Sequence, residues 1–316
     1  MRIACLQFTP IPRDPVANSR RATEVLEKAG IGRGSVDVVV GPEMAFSGYV
    51  FTSPTDINPF VEDPEDGVAG RWAKDTAARL DACVQIGFPH RDSAGALRNS
   101  VVVAVPSPSP STSATTTSTP TTPSASAPTP AAHIATVYNK HHLFETDENW
   151  AVPGEAFWSG EVEGLDVKVG SGKKTESGKE KVGLGICMDV NPWRFKAPFT
   201  AYEFARFHVQ HGTTLLLLSM AWLLSRDPSD PSALDEKAKK KHVRDTLEYW
   251  AARLMPMVEA TATGGREVVV VVANRTGQEG DVTFCGCSCV FVFRGGRAYV
   301  VGHMSLDDEG VLVVET

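Results

Sequence analysis

Three places in this 316-residue chain set a reactive side chain directly behind an apolar, strand-like run. Val182-Gly183-Leu184-Gly185-Ile186 leads into Cys187-Met188-Asp189, with a turn signal at Asn191-Pro192. Val39-Val40-Gly41-Pro42 leads into Glu43, and Tyr138-Asn139 into Lys140-His141-His142. Side chains at strand ends emerge from a core while nearby backbone N–H groups remain free, so sites assemble there. Cys187 is a candidate nucleophile, Glu43 a general base whose pKa is raised among apolar neighbours, and Lys140 a fixed positive charge for an oxyanion. Each has a plainer reading: a small buried hydrophobe for Cys187, a solvated or helix-capping carboxylate for Glu43, a solvated surface cation for Lys140. Together they suffice for amide hydrolysis without metal or cofactor. Glu43 takes the thiol proton, the thiolate attacks the carbonyl, and Lys140 with the Met188 backbone N–H holds the oxyanion. The lysine cation is also expected to lower the Cys187 pKa.

The elements that must position these groups alternate along the chain. Strand-like runs occur at Ile3–Phe8, Val36–Val40, Val84–Phe88, Val182–Ile186, Thr214–Ser219, Val268–Ala273 and Cys289–Phe293. Helical patterns span Val16–Lys28, Gly70–Ala82, Ala197–His211 and about Ala233–Leu254. Two further strand-like runs, 98–105 and 133–138, flank a stretch over 106–131 made almost wholly of Ser, Thr and Pro. Such a stretch cannot bury enough surface to offset its ordering entropy, so it is expected to be a disordered insertion at a hairpin tip. A polar loop at 170–181 has the same character. Alternating strands and helices with two adjacent strands predict a single layered α/β domain over 1–316 with a mixed sheet. Arg294-Gly295-Gly296-Arg297 reads as a tight hairpin turn.

Composition narrows the function classes. With 31 Lys and Arg against 38 Asp and Glu the net charge is −7, and the only dense basic run, 237–241, lies beside Asp235, Glu236 and Asp245. Neither a nucleic-acid footprint nor an anionic-membrane footprint is expected. Six unevenly spaced cysteines do not make a disulfide framework and suggest a reducing, cytoplasmic setting. The N-terminus reads as neither a secretory signal nor, with Asp14 and Glu24 flanking Arg20-Arg21, a good mitochondrial leader. Leu215–Leu224 is about half the ~20 residues needed to cross a bilayer. Cys285, Cys287 and Cys289 are too tightly spaced for a zinc site and are expected to share one strand face beside the core.

Gly41-Pro42-Glu43, the run from Tyr138 to Phe144, and Gly185-Ile186-Cys187-Met188-Asp189 resemble the three motif regions of the nitrilase, or carbon–nitrogen hydrolase, superfamily. Asn274-Arg275-Thr276-Gly277 and Phe284-Cys285-Gly286-Cys287-Ser288 are similar to its C-terminal signature, so the likeness spans nearly the whole chain. It implies a four-layer αββα sandwich that in most members pairs with a second copy. The two insertions lie outside the common pattern and bear on pairing, leaving monomer or homodimer open.

Within the superfamily the chain looks most like the fungal protein N-terminal amidases, on the runs 43–51, 140–150, 187–195 and 273–279. That likeness implies deamidation of N-terminal Asn or Gln of proteins and peptides to Asp or Glu, with release of ammonia, feeding an N-terminal degradation signal. It also implies a second acidic residue shortly after the lysine, which Glu148 fits better than Glu155, orienting lysine and substrate. A free α-ammonium calls for a carboxylate near the pocket, and Asp189, Glu279 and Asp281 are candidates because they lie in or beside the motif segments. Within the same superfamily the alternative is an amidase acting on a small free amide or carbamoyl compound. A rival of another class is a catalytically silent binding scaffold.

Overall fold

The computed structural model describes residues 1–108, 131–165, 180–224, 234–262, 264 and 266–316. Within these, the strands in chain order are β1 (Arg2–Gln7), β2 (Val38–Val40), β3 (Cys83–Arg91), β4 (Leu97–Pro106), β5 (Ala132–Asn139), β6 (Trp158–Gly160) and β7 (Lys181–Ile186). Then follow β8 (Thr213–Met220), β9 (Val268–Asn274), β10 (Thr276–Glu279), β11 (Val282–Cys285), β12 (Cys289–Arg294), β13 (Arg297–His303) and β14 (Gly310–Glu315). The helices are α1 (Pro15–Lys28), α2 (Pro54–Ile57), α3 (Val68–Leu80), α4 (Glu203–His211), α5 (Glu236–Arg253) and α6 (Met255–Ala262).

Among the described residues two six-stranded sheets form, in the orders β14-β1-β2-β3-β4-β5 and β13-β12-β9-β8-β7-β6, with β10 and β11 as a separate ribbon. Strand alternation puts every second side chain on the opposite face. Ile3, Cys5, Val38, Val40, Val101 and Val103 join the core that also holds Leu184, Leu217 and Val271 of the second sheet. Their neighbours Ala4, Leu6, Val39, Val84, Ile86 and Val102 face away, onto Ala22 and Leu26 of α1 and Ala73 and Ala77 of α3. The second sheet is covered in turn by α4, α5 and α6, through residues such as Phe204, Leu247 and Met257. The result is the four-layer αββα sandwich. β8, buried throughout and paired in parallel with both β7 and β9, needs the unbroken apolar run its sequence shows.

Local chemistry sets the element ends. The Asp14 side chain accepts from Ala17 N at 3.0 Å and Pro15 opens α1. Between β12 and β13, Gly295 and Gly296 both have positive φ, 56° and 75°, as a two-residue hairpin turn of this hand requires. β4 and β5 pair antiparallel out to Pro106 opposite Ala132, so the segment over 106–131 leaves and rejoins neighbouring strands. Most of that segment, and most of the polar tract at 170–181, lies outside the described residues. The helical pattern from Ala197 is realised only from Glu203 onward, because Phe199–Ala201 forms a short turn and Tyr202 takes a left-handed conformation with φ 50°.

The triple cysteine motif also differs from expectation. Cys285 ends β11, Cys289 begins β12, and Cys287 sits between them with φ 61°. The three are buried, but the chain turns through them instead of presenting one face of a single strand. Among the described residues no cluster of His, Cys, Asp and Glu is arranged to hold a metal ion, and no helix is long and apolar enough to cross a membrane.

Candidate active site

Glu43, Lys140 and Cys187 come from three strand ends and two sheets. Glu43 follows β2, Lys140 follows β5, and Cys187 follows β7. The loop that carries Glu43 is bound to the far sheet: Glu43 N donates to Met220 O at 3.2 Å, and the Ser219 hydroxyl donates to Gly41 O at 2.7 Å. Gln85 Nε2 of β3 donates to the same hydroxyl at 2.9 Å. Gly87 lies under the glutamate, where a Cβ would come within 2.6 Å of Glu43 Cα. Only a glycine lets β3 approach that closely.

Lys140 Nζ donates to Glu43 Oε1 and to Asp147 Oδ2, both at 2.6 Å, and all three side chains are sealed from solvent. Asn99, on β4, uses Nδ2 to bridge the two carboxylates, 2.6 Å from Glu43 Oε1 and 2.9 Å from Asp147 Oδ1. Burial works to deprotonate Lys140, but the charges of Asp147 and Glu43 outweigh it and hold the ammonium above its ordinary range. For Glu43 burial dominates and raises the carboxyl pKa, with the Lys140 cation opposing. Its second oxygen, Oε2, is buried without a partner and is the lone pair left to receive a proton.

Cys187 opens a tight turn over Cys187–Val190 with φ 41°, a strained conformation for a residue with a side chain. Burial and the Glu43 charge push its thiol well above the ordinary value, and Lys140 only partly offsets them. The expected lowering by lysine therefore does not prevail. Cys187 rests as a thiol and needs a base at the moment of reaction, which Glu43 can supply. The sulfur borders a cavity of about 180 Å³ lined by Tyr49, Phe144, Met188, Phe195, Trp222 and Leu223 among others. A second hollow of about 160 Å³ adjoins it through Phe144, Met188 and Phe195, and brings in Glu145, Glu148, Arg194 and Lys196.

The remaining expected residues fall differently. Glu148 does not reach the lysine: its carboxylate is 37% exposed and pairs with Arg194 at 2.7 Å. The short turn Asp147–Asn149 points Asp147 inward and Glu148 outward, so the shorter neighbour takes the position next to Lys140, and Asp147 also accepts from Phe144 N at 2.9 Å. Glu155 is exposed.

Asp189 is buried, with both oxygens committed. Oδ1 accepts from His141 N and His142 N at 3.1 and 2.8 Å, and Oδ2 from Tyr138 Oη and Ile186 N at 2.8 Å. It ties the cysteine turn to the lysine segment and has no lone pair directed at a ligand. Glu279 is likewise spent on backbone, accepting from Tyr49 N and Val50 N at 2.9 Å and from Arg275 Nη2 at 3.0 Å. Asp281 is exposed at the β10–β11 turn. Met188, whose backbone N–H is the expected oxyanion donor, lines the cavity beside Cys187. Asn99 and Asp147 are the residues that sequence reasoning missed. Asp147 lay within the lysine motif, seven residues on. Asn99 carried no signal, because it sits between Arg98 and Ser100 in the polar opening of β4, ahead of its apolar run.

Comparison with known proteins places the chain in a family. The carbon-nitrogen hydrolase family model matches residues 2–195. The protein N-terminal amidase of Schizosaccharomyces pombe is 29% identical over 100% of this chain and 99% of its own length. Among solved structures, an N-terminal amidase with an Asn-Glu-Ala peptide superposes with TM-score 0.77 at 20% identity, covering 100% of this chain and 97% of that one. One with a Gln-Gly peptide superposes with TM-score 0.74 at 19% identity, covering 99% and 96%. These two structural likenesses establish a shared fold. With the family match over residues 2–195 and three strand ends that converge on a buried glutamate, lysine and cysteine, the chain belongs to the carbon-nitrogen hydrolase family.

Proposed function

We propose that this protein is a cysteine-dependent amidohydrolase that deamidates N-terminal Asn and Gln of proteins or peptides, giving Asp and Glu and releasing ammonia. The observation that carries the reading is the Cys187 thiol bordering a cavity of about 180 Å³ beside the sealed Glu43–Lys140–Asp147 cluster. That volume is below the roughly 300–1,000 Å³ typical of drug-sized sites and suits one amide-bearing side chain. The S. pombe relative carries the name protein N-terminal amidase, and structural neighbours hold peptides that begin with Asn or Gln.

Glu43 Oε2 takes the thiol proton as sulfur attacks the side-chain carbonyl. Lys140 Nζ and the Met188 N–H hold the tetrahedral oxyanion. Collapse expels the amide nitrogen, which leaves as ammonia with the proton from Glu43. Water, deprotonated by Glu43, then cleaves the thioester and restores the thiol. Asp147, not Glu148, orients the lysine, and Asn99 holds the two carboxylates at a common spacing. Asp189 and Glu279 act as scaffolding. The adjoining hollow with Glu145, Glu148, Arg194 and Lys196 is where the chain beyond the first residue runs out to solvent. The product, an N-terminus changed from amide to acid, feeds an N-terminal degradation signal in the cytoplasm.

The test is ammonia release from peptides that begin with Asn or Gln, compared with their N-acetylated forms. Free peptides should be strongly preferred. Equal turnover of blocked peptides would favour a general amidase of small amides and sink the proposal.

A further inference from the structure

We infer that the Tyr49 hydroxyl is a substrate-binding group, the partner of the scissile carboxamide nitrogen opposite Glu43 Oε2. The inference rests on the amidase reading above.

Tyr49 lines the Cys187 cavity and is 2% exposed, yet its hydroxyl has no hydrogen-bond partner. A buried hydroxyl left unpaired costs about 1–3 kcal/mol, so retaining one points to a partner that arrives with a ligand. The ring is held firmly while the hydroxyl is not. Glu279 accepts from the Tyr49 and Val50 N–H groups, Arg275 backs Glu279, and Phe284 packs edge-on at 5.8 Å. Aiming, not flexibility, is what such a mount supplies.

The depth of the hydroxyl selects which part of the substrate it meets. Besides burial, the charges of Asp147, Glu43 and Cys187 act on the phenol and keep it protonated. Tyr49 shares the cavity wall with Cys187 and its hydroxyl is sealed from solvent, which sets it with the reacting groups and not at the mouth, where Phe195 is more than half exposed. Among the buried oxygens without a partner are Glu43 Oε2, whose carboxylate charge acts on the Cys187 thiol, and Tyr49 Oη, on a residue that lines the cavity with Cys187. A primary carboxamide brings two N–H donors on one nitrogen. One donor to each oxygen satisfies both at once, and turns the carbonyl of the same group toward Lys140. A carboxylic acid product offers no such pair of donors and is released.

Tyr49→Phe keeps the ring and removes only the oxygen. With an Asn-started peptide, kcat/KM should fall at least tenfold. With the des-amino analogue, in which a succinamoyl group replaces Asn, the fold-loss should be the same, because the α-ammonium is not involved. With the side-chain methyl ester, which has no N–H to donate, the loss should stay within about threefold. The melting temperature of the free enzyme should be no lower than wild type, since the deleted hydroxyl had no partner. Equal losses on amide and ester, a loss confined to free-amine peptides, no loss at all, or a melting temperature several degrees lower would each overturn the assignment. Failure of the underlying reading is separate: it appears in wild type alone, as no ammonia from the Asn-started peptide.

Discussion

Glu43 and Asp189 are both buried carboxylates beside strand ends, both raised in pKa first of all by burial, and they are wired in opposite ways. Asp189 accepts four donors, two on each oxygen. Glu43 concentrates Lys140 and Asn99 on Oε1 and leaves Oε2 empty. A carboxylate whose lone pairs are all engaged can only hold parts together. One with a free, desolvated oxygen can accept a proton and return it. The difference separates a saturated carboxylate from one with an oxygen free for a proton, at two positions that look alike in chemistry and burial.

The comparison breaks most visibly at the reacting groups. Cys187→Ala should lower ammonia release by at least about 10⁴-fold and Glu43→Gln by about 10²–10⁴-fold, with thermal unfolding little changed. Because Glu43 must be ionised to take the thiol proton, activity should be present above its raised pKa and lost as the pH falls through it. A pH profile of kcat/KM should then place the acid limb above the ordinary 4.5 of a glutamate. A midpoint at or below 4.5 would remove the case for Glu43 as a desolvated base. Asp147→Asn should cost turnover about 10–100-fold, since the buried lysine then keeps one anionic partner instead of two.

Asp189→Asn tests the other side. An amide would turn N–H groups toward donors that now face oxygen, costing about 2–4 kcal/mol in denaturant unfolding. Unchanged stability would show that Asp189 is not saturated in the way its bonds describe. Glu62 offers a third case: Oε2 accepts from Ala69 N at 2.7 Å, Oε1 is buried without a partner, and burial lifts the carboxyl to about 7. The folded state then holds a proton that the unfolded chain loses near 4.5, so this group lowers stability as pH rises from 4.5 through 7. Glu62→Gln should raise stability at pH 8 by about 1–3 kcal/mol and leave it unchanged near pH 4.5. A gain equal at both values would refute the linkage. Glu148→Gln, at the exposed Arg194 pair, should change turnover by no more than about twofold and stability by under about 1 kcal/mol. A tenfold loss would restore Glu148 to the site.

Much of this was legible in the chain because strands report themselves. Val38-Val39-Val40, Leu215 to Leu218 and Val268 to Val272 are apolar runs that only a buried strand accommodates, and the reactive residues sit just beyond such runs. Helix α4 was less legible, because its apolar pattern continues back through Phe199 and Tyr202 while the backbone there turns. The second carboxylate was misread by one residue. The family resemblance implies that an acid follows the lysine, but whether residue 147 or 148 faces inward depends on the hand of one short turn and on which carboxylate Lys140 and Asn99 can reach.

The sequence by itself therefore determined the strand runs of a layered α/β domain and singled out Glu43, Lys140 and Cys187 as candidates, because strand patterning and reactive residue types are local properties; the four-layer αββα order was implied by the family resemblance and is borne out by the two stacked sheets. Tertiary structure alone decided which carboxylate is sealed beside Lys140 and which are spent on backbone donors or left to solvent. Asp147, Asp189, Glu148 and Glu279 are chemically alike along the chain. They differ only in how many donors converge on each oxygen and how far water is excluded, and both are set by segments distant in sequence meeting in space.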